Sequence, residues 1–333
     1  MEPVEIDAEY IVYGARFSLF TRKLEAAMRF YGVPFRFEAK TSENASMLES
    51  RAGTHQIPVF ETPENWLLAD TTPILALLDS RHPTRRLFPE GPAGVVVHIV
   101  EEVLDEWIAR TMVHYRWHYE ENTQAVVSAI VGKPLSLAEA REFPLAKWGP
   151  RACRATGTES VHQREQVEVE YMAVLDALET QLGQTRYALG DRPTAVDAIL
   201  LGGLRAHTNA DPIPDLSGFK RIQAWDSQDA DKWNGEGEFS EFPATTPFAE
   251  HMLALARDCY VPFALGNASA LAAGQKAFEI DTYGERVSYL ARRYPEQSRR
   301  MVQRRIRDLL HDDERERVGE WLEELGLAAC FMP

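Results

Sequence analysis

The stretch QIPVFETPENWLLADTTPILALLD, residues 56–79, holds the pattern that decides the fold of the N-terminal part of this chain. Proline donates no backbone N–H, so Pro58 at the head of an apolar run must begin a strand or lie on a sheet edge. A second apolar run, 66–69, follows across a turn that contains proline and asparagine. The two runs therefore predict a β-hairpin.

Directly after the hairpin, Asp70, Thr71 and Thr72 precede an apolar stretch. These side chains cap helix N-termini, and Pro73 stands close to the first helical position, where a missing N–H does no harm. The whole stretch therefore predicts strand, turn, strand and capped helix.

The residues ahead of this stretch follow a β-α-β pattern. Apolar residues alternate in 9–14 and return as a strand pattern in 33–40, whereas 18–32 has helical spacing and ends at Gly32. A short helical or looping piece is expected near 43–52. The predicted order is therefore β-α-β, this short piece, and then β-β-α.

Beyond about residue 93 the strand signals disappear and long amphipathic segments follow, which predicts a second domain that is all helical. A linker rich in proline and arginine, 81–92, joins the two parts. The helical segments are expected at 94–130, 159–183, 194–208, 244–273 and 283–328.

Composition excludes several classes of protein. The chain has 333 residues, 45% of them apolar and 26% charged, which is typical of a globular protein long enough for two domains. It contains no run of about 18 uncharged apolar residues and its start is acidic, so we expect a cytoplasmic protein with no membrane partner. The net charge of −15 argues against nucleic-acid binding, and the three cysteines lack CxxC spacing.

With these elements in place, three segments resemble the glutathione S-transferase family. SLFTRK, residues 18–23, is similar to the family's S-P-F-x-R-K signature after the first strand, with leucine in place of proline. ADTTPI, residues 69–74, resembles the E/D-S-x-A-I segment, with threonine in place of serine. The segment 187–204 resembles the helical-domain motif, in which Thr194 and Asp197 would form a capping box.

The resemblance is to serine-type, bacterial-like members with an enlarged C-terminal domain. It implies a thioredoxin-like glutathione-binding domain, 1–88, and an all-α domain, 89–333, with the additional length in 131–158 and 210–333. It also implies a cis proline at Pro58 and a homodimer in which a partner's helix lies beside each glutathione site.

The resemblance assigns the glutathione site to the hairpin and to the helix after it. A cis proline exposes the backbone of the preceding residue, so Ile57, next to Pro58, would pair with the cysteinyl backbone of the peptide. Asp70 would take the γ-glutamyl ammonium and Thr71 its carboxylate, since N–H groups at a helix start suit an anion. The candidates for the glycyl carboxylate are Gln56, which we prefer, His55 and Lys40.

The chemistry is assigned to Ser18. A free thiol has a pKa of about 8.5, so at pH 7 little of glutathione is thiolate. A hydroxyl donor and a helix N-terminus aimed at the sulfur favour the anion. Ser18 stands at the predicted helix start, where its oxygen can also cap the helix as an acceptor. Tyr13 at the end of the first strand is the alternative, because other branches of the family use a tyrosine there.

The helix predicted at 107–120 opens the helical domain and in the family borders the acceptor site. The candidates for binding an apolar electrophile are Met112, His114, Tyr115 and Trp117. The alternative is that these side chains only pack between helices, with Arg116 in an ion pair. His114 and His118 have i, i+4 spacing, but no HExxH motif and no third ligand are evident, so no metal is predicted.

Two classes of function stay open. The first is a glutathione-dependent transferase whose thiolate attacks an apolar electrophile by conjugation, displacement or ether cleavage. The second is a non-catalytic binding or scaffold protein of the same fold, like the metaxin-like relatives. The presence of Ser18 together with the pairs 57–58 and 70–71 favours the enzyme.

The C-terminal end carries two further expectations. The arginine-rich stretch 292–317 predicts a solvated amphipathic helix. The tail 319–333 is too apolar to stay in water and must dock. It could lie beside the helix at 107–120 as a lid over the acceptor site, or it could close a distant apolar seam.

Overall fold

The structure is a computed structural model, and it describes residues 9–227 and 230–333. Residues 1–8 lie outside the described residues. They include most of the acidic start on which the expectation of a cytoplasmic protein was based.

The N-terminal part forms a four-stranded mixed sheet flanked by helices. Its strands lie in the order β2-β1-β3-β4, with β1 parallel to β2 and antiparallel to β3, and with β3 antiparallel to β4. The elements are β1 Tyr10–Gly14, α1 Leu19–Tyr31, β2 Phe35–Ala39, α2 Ala45–Ala52, β3 Val59–Glu61, β4 Leu67–Ala69 and α3 Thr71–Arg81. The predicted thioredoxin-like arrangement is confirmed.

The ends of α1 follow from local chemistry. Ser18 caps its start and accepts a hydrogen bond from the Thr21 amide, while Gly32 ends it at φ 69°, a left-handed conformation that glycine adopts without cost. The N–H of Gly32 then bonds to the free carbonyl groups of the last turn. The helix is buried over most of its surface because the sheet lies on one side and the helical part of the molecule on the other.

The remainder of the chain is largely helical, as predicted. The helices are α4 Gly91–Glu102, α5 Ala109–His118, α6 Glu120–Val131, α7 Leu137–Glu142, α8 Pro144–Ala155, α9 Val161–Gln181, α10 Ala195–Gly203, α11 Lys220–Ser227, α12 Pro247–Leu255, α13 Val261–Ala272, α14 Arg293–Leu309, α15 Asp312–Glu324 and α16 Ala328–Phe331. Three π-helical stretches, 103–108, 204–208 and 256–260, follow α4, α10 and α12.

The two parts meet where α1 packs against α10. A Cβ added at Gly202 would lie 2.7 Å from the carbonyl oxygen of Leu19 and 2.8 Å from the amide nitrogen of Lys23, so only glycine allows this approach. The predicted capping box at the start of α10 is confirmed: Thr194 and Asp197 exchange side-chain and backbone hydrogen bonds. This buried helix start fixes α10 against the sheet domain.

The prediction that no strands follow residue 93, with a helical segment expected over 283–328, is wrong at 277–290. There the chain forms a β-hairpin, β5 Ala277–Thr282 and β6 Glu285–Leu290, across a Tyr283-Gly284 turn in which both residues have positive φ. Apolar and polar residues alternate through both strands, which is the pattern of a sheet with one buried face. The buried face packs on α13, where Tyr289 meets Phe263 at 5.4 Å between ring centroids.

The C-terminal tail docks in a seam built by the arginine-rich helix α14 and its neighbours α13 and α15. Phe331 is fully buried and stacks on Tyr260 at 5.9 Å, and Arg299 donates a 2.6 Å hydrogen bond to the carbonyl of Cys330. The tail was expected either beside the helix at 107–120 or in an apolar seam, and these contacts are those of a seam. The predicted amphipathic character is confirmed for α14, whose buried face packs on α4, α13 and the tail. The arginine-rich stretch 292–317 is not one helix, however, because α14 ends at Leu309 and α15 begins at Asp312.

Among the helices within the described ranges, none has the length and apolar character needed to cross a bilayer. The boundary between domains at residues 88 and 89 stays a prediction.

Truncating the tail's anchor should destabilise the whole molecule. Phe331→Ala removes a fully buried ring and leaves a cavity, so we expect a loss of about 3–5 kcal/mol in the free energy of unfolding. Leu309→Ala is the control, because Leu309 is 65% exposed at the end of the same seam helix and should change stability by less than about 0.5 kcal/mol. Urea unfolding measures both, and equal effects of the two changes would contradict the docking described here.

Candidate functional site

Three segments leave the sheet at the same edge, and this edge forms the candidate site. Tyr13 at the end of β1 lies opposite Val59 at the start of β3, and Val59 in turn lies opposite Ala69 at the end of β4. The loop to Ser18, the residues ahead of β3 and the start of α3 at Asp70 therefore converge. The register of three strands thus brings together segments that are more than fifty residues apart in the sequence.

Ser18 is half-buried at the N-terminus of α1. Its Oγ accepts a 3.3 Å hydrogen bond from the Thr21 amide, and its own amide donates to the carbonyl of Ala15 at 2.9 Å. The hydroxyl oxygen is therefore used as a capping acceptor, and its hydrogen is left to donate elsewhere. A thiolate placed at this helix start would meet both that donor and the positive end of the helix dipole.

The loop that presents Ser18 is held by Arg116 of α5. The Arg116 guanidinium donates to the carbonyl of Phe17 at 2.7 Å and forms a two-pronged ion pair with Asp211 at 3.0 Å on both arms. It also donates to the carbonyl of Ala206. The ion pair considered for Arg116 in the sequence is confirmed, and it fastens the serine loop to the helical part.

Tyr13, the alternative to Ser18, is committed elsewhere. Its hydroxyl donates a 2.9 Å hydrogen bond to Oε2 of Glu61 on the neighbouring strand. Burial and the bond to that carboxylate raise the pKa of Tyr13 to about 12. A phenol that already donates to a carboxylate has no second hydrogen for a thiolate, so the geometry favours Ser18 for this role.

The predicted cis bond between Ile57 and Pro58 is present at the start of β3. Ile57 is half-buried, and Gln56 beside it is exposed, with its amide held by the Thr54 hydroxyl at 3.2 Å. Of the other glycyl candidates, Lys40 donates to the carbonyl of His55 at 2.7 Å and pairs with a glutamate. The role of these side chains toward a ligand stays a prediction.

Asp70 precedes α3 in an unusual conformation. Its φ of 73° and ψ of 116° lie outside the regions common for residues with a Cβ, which costs about 1–3 kcal/mol and is typical of functional positions. Burial and the nearby charge of Asp105 raise the pKa of the half-buried Asp70 to about 6. Thr71, the first residue of α3, is buried.

A buried lysine lies behind Asp70. Lys23 of α1 is fully buried, and its ammonium binds the carboxylates of Glu101 and Asp105, the latter at 2.5 Å, and donates to the hydroxyl of Thr72 at 3.4 Å. Both carboxylates come from α4 and the π-helical stretch after it. One ammonium therefore connects α1, the start of α3 and the first helix of the helical part.

The surrounding carboxyl groups outnumber the cations, and burial raises their pKa values. The pKa of Glu101 rises to about 7, and the pKa of Glu106, which pairs with Arg292 at 3.1 Å, rises to about 8. Burial and the charge of Glu106 raise the pKa of Glu102 as well, although the Tyr260 hydroxyl donates to it at 2.6 Å. This interior, next to Asp70, is suited to a positively charged group.

An apolar cleft begins beside Ser18. Its free volume is about 20 Å³, enough for about one water molecule, and Leu19, the residue after Ser18, forms one wall together with Met112 and Tyr171. The other walls come from α5, α9, α10 and the adjoining π-helical stretches. The lining is apolar, and an acceptor larger than a water molecule would enter only where these side chains move apart.

The four predicted acceptor residues do not share one pocket, because α5 presents them to different neighbours. Met112 lines the apolar cleft. His114 is buried against Glu168, with 2.7 Å between the ring Nε2 and the carboxylate, and Trp117 packs on Gly149 of α8. Tyr115 is buried in a stack with Tyr119 at 5.7 Å. The acceptor role of His114, Tyr115 and Trp117 stays a prediction that this cleft does not support.

The two histidines form a pair of their own, with 2.9 Å between the Nδ1 atoms of His114 and His118. Burial lowers the pKa of both rings, that of His118 to about 4, which disfavours a charged pair. Within 9–227 and 230–333, no group of three or more His, Cys, Asp or Glu side chains could hold a metal ion.

Sequence reasoning missed the buried charge network behind Asp70. A signal was present in VVVHIVEEVLDEWI, residues 95–108, where four acids with i, i+4 spacing stand in an otherwise apolar helix. A helix that is apolar on all sides is buried, so its acids must be buried with partners. The cleft residues on α9 and α10 carried no signal beyond helical spacing.

Two family profiles match the chain in sequence order. The one described as "Glutathione S-transferase, N-terminal domain" matches residues 12–86, and the one described as "Glutathione S-transferase, C-terminal domain" matches residues 161–225. No curated protein sequence matches the chain.

Similar solved structures have low sequence identity. A glutathione S-transferase from Rhodospirillum rubrum F11 is 13% identical with a TM-score of 0.47, over 73% of this chain and 99% of its own. A theta class glutathione S-transferase from Xanthomonas axonopodis pv. citri, with glutathione bound, is 16% identical with a TM-score of 0.44, over 66% and 92%. A glutathione transferase homologue from sulfitobacter, also with bound glutathione, is 12% identical with a TM-score of 0.41, over 66% and 92%.

Removing the buried ammonium should destabilise the fold. Lys23→Met leaves Glu101 and Asp105 buried without their cation, so we expect a loss of about 3–5 kcal/mol in the free energy of unfolding at pH 8. The loss should shrink at lower pH, because protonating a buried carboxyl removes its uncompensated charge. Urea unfolding at several pH values measures this.

The control is Lys147→Met. Lys147 forms an exposed ion pair with Glu142, so its removal should change stability by less than about 1 kcal/mol at any pH. A Lys23→Met protein as stable as this control would show that the buried network does not hold the two parts together.

Proposed function

This chain belongs to the glutathione S-transferase family, and from that premise we propose that it is a glutathione-dependent transferase that activates the thiol of glutathione for attack on an apolar electrophile. The observation that carries the proposal is the register of Tyr13, Val59 and Ala69, which makes the Ser18 loop, the cis Ile57–Pro58 bond and Asp70 converge at one sheet edge. A binding site for an extended peptide and a thiol-activating donor would then be neighbours.

In this proposal glutathione lies along the edge as an added strand. The backbone of Ile57 pairs with its cysteinyl residue, Asp70 takes the γ-glutamyl ammonium, and the amide groups at Thr71 take the glutamyl carboxylate. The surplus of buried carboxyl groups behind Asp70 favours the ammonium electrostatically. Gln56 is proposed for the glycyl end because it is exposed beside the cis bond.

The chemistry then follows from the geometry at Ser18. The cysteinyl S–H gives its proton to water, and the thiolate accepts a hydrogen bond from the Ser18 hydroxyl at the helix start. The sulfur electron pair forms a bond to the electrophilic carbon. In a displacement or ether cleavage the leaving group departs with its bonding pair, and in an addition the developing anion takes up a proton from solvent.

An apolar acceptor is proposed because of the cleft next to Ser18. Its walls are aliphatic and aromatic, and Leu19 follows the serine directly in the chain, so an acceptor that opens the cleft would bind close to the start of α1. The sequence and the geometry leave conjugation, displacement and ether cleavage equally open.

The non-catalytic scaffold of the same fold is the second class. Such a protein would need neither a donor at a helix start nor a strained acid at the peptide site, whereas this chain has both. The homodimer and the cytoplasmic location expected from the sequence belong to the same proposal, and light scattering reports the assembly.

Loss of the Ser18 hydroxyl should impair catalysis more than binding. Ser18→Ala is expected to raise the pKa of the bound thiol and to lower turnover by about 10- to 1000-fold, the range for one preorganised donor. Thiolate absorbance in the ultraviolet and turnover of a model electrophile are the measurements. Glutathione affinity by calorimetry should stay nearly unchanged.

Two variants serve as controls for this change. Ser18→Thr keeps the hydroxyl and the helix cap and should retain much of the activity. Tyr13→Phe removes a hydroxyl that donates to Glu61 and should leave turnover near the wild-type value. Retained turnover in Ser18→Ala with a loss in Tyr13→Phe would transfer the role to Tyr13.

Neutralising Asp70 should weaken the binding of glutathione. Asp70→Asn is expected to cost about 1.5–3 kcal/mol of binding free energy, as for a charge-assisted hydrogen bond. Since the pKa of Asp70 is raised to about 6, wild-type affinity should fall as the pH is lowered through 6, whereas the Asn variant should lack this dependence. Calorimetric titration between pH 5 and 8 tests both statements, with the exposed Asp176→Asn as control.

A further inference from the structure

The start of α14, residues 292–294, belongs to the part of the chain that exceeds the usual family length, yet it lies beside the candidate site. Asn267 of α13 fixes this segment by donating to the carbonyl of Arg292 at 2.9 Å and accepting from its amide at 2.8 Å. The Arg292 guanidinium lies over the ring of Phe263 at 5.9 Å. The segment is therefore held at a defined position by α13.

On one side the segment reaches the glutamyl end of the site. Arg292 pairs with Glu106 at 3.1 Å, one residue after Asp105, which binds Lys23. Lys23 in turn donates to Thr72 in the first turn of α3, two residues after Asp70. The charge of Asp70 also contributes to the raised pKa of Glu106, so the carboxylate that pairs with Arg292 lies near the acid at the start of α3, where the glutamyl group is proposed to bind.

On the other side the segment reaches the loop ahead of the cis proline. The Tyr294 hydroxyl donates to Oγ1 of Thr54 at 3.4 Å, and the same oxygen accepts from the amide of Gln56. Arg292 and Tyr294 therefore connect the two ends of the proposed peptide site.

At the glutamyl end the amide groups at Thr71 are proposed for the carboxylate, but no cation has yet been assigned to it. Lys23 is fully buried and is already bound by Glu101, Asp105 and Thr72, so it cannot reach a ligand. The Arg292 side chain is 33% exposed, and its Nη1 pairs with Glu106. Its Nε is buried and has no hydrogen-bond partner within the described part of the chain. A carboxylate is the group that a guanidinium with spare donors binds best.

We propose that Arg292 binds the α-carboxylate of the γ-glutamyl residue of glutathione, with Tyr294 holding the segment across the site; this rests on the function proposed above. The α14 segment then contributes to the site from within the same chain.

The test compares two ligands by calorimetry. Glutathione carries the glutamyl carboxylate, and 4-aminobutyryl-cysteinyl-glycine lacks only that group and keeps the ammonium. Arg292→Ala should weaken glutathione binding by about tenfold or more, the range for a hydrogen bond to a charged group, and leave binding of the analogue unchanged. Arg293→Ala, at the exposed neighbouring residue, should change neither affinity.

Two further variants keep the test independent of folding. Arg292→Lys preserves the charge opposite Glu106 but removes the planar fork, and it should lose affinity for glutathione and not for the analogue. Tyr294→Phe should show the same selectivity with a smaller loss of about threefold, as expected for one neutral hydrogen bond.

An equal loss for both ligands in Arg292→Ala and Arg292→Lys, or no loss for either, would overturn the role of Arg292 while leaving the proposed function intact. Wild-type protein that binds neither ligand would instead overturn the proposed function itself, and the role of Arg292 with it.

Discussion

A buried ammonium, that of Lys23, joins the two parts of this molecule. It lies on α1 between the sheet domain and the helical part, and it is satisfied by two carboxylates from one side and a hydroxyl from the other. Burying three charges is costly, and their mutual attraction offsets that cost only if the geometry is close to ideal. The network therefore fixes the angle at which the helical part meets α1 and α3, and both helices begin at the candidate site.

The same interior sets the electrostatics of the site. Burial leaves a surplus of carboxyl groups behind Asp70, and their pKa values rise toward neutral pH because water is excluded. An ammonium group entering at Asp70 would relieve this surplus. Arg292 is the second cation of the cluster, and it comes from the C-terminal extension. The extra helices thus add a cation to the interior behind the candidate site as well as covering apolar surface.

The two parts of the chain contribute differently to the candidate site. The sheet domain presents the edge on which an extended peptide can lie, and its register fixes the positions of Ser18, Ile57 and Asp70. The helical part builds the apolar cleft next to Ser18 and also holds the serine loop through Arg116. The position of the serine loop therefore depends on how the two parts pack together. That packing depends in turn on Lys23 and on the close approach at Gly202.

The sequence by itself determined the features that rest on local backbone chemistry. Pro58 at a strand head, Gly32 at a helix end and the box of Thr194 and Asp197 each specify a conformation within a few residues, so they could be predicted. The hairpin at 277–290 is equally local, because apolar and polar residues alternate in both of its strands. Its second strand lies in the segment 283–328, for which a helix was expected.

Only the tertiary structure decided which distant side chains meet. Lys23 and Asp105 are 82 positions apart, and the sequence around either residue does not indicate that the two side chains pair. The bond from Tyr13 to Glu61, which favours Ser18, and the rotation of α5 that separates Met112 from His114 also follow from packing. The docking of the tail on α14 was likewise decided by the tertiary structure. An apolar segment must be buried, but the surface that buries it is set by the shape of the whole core.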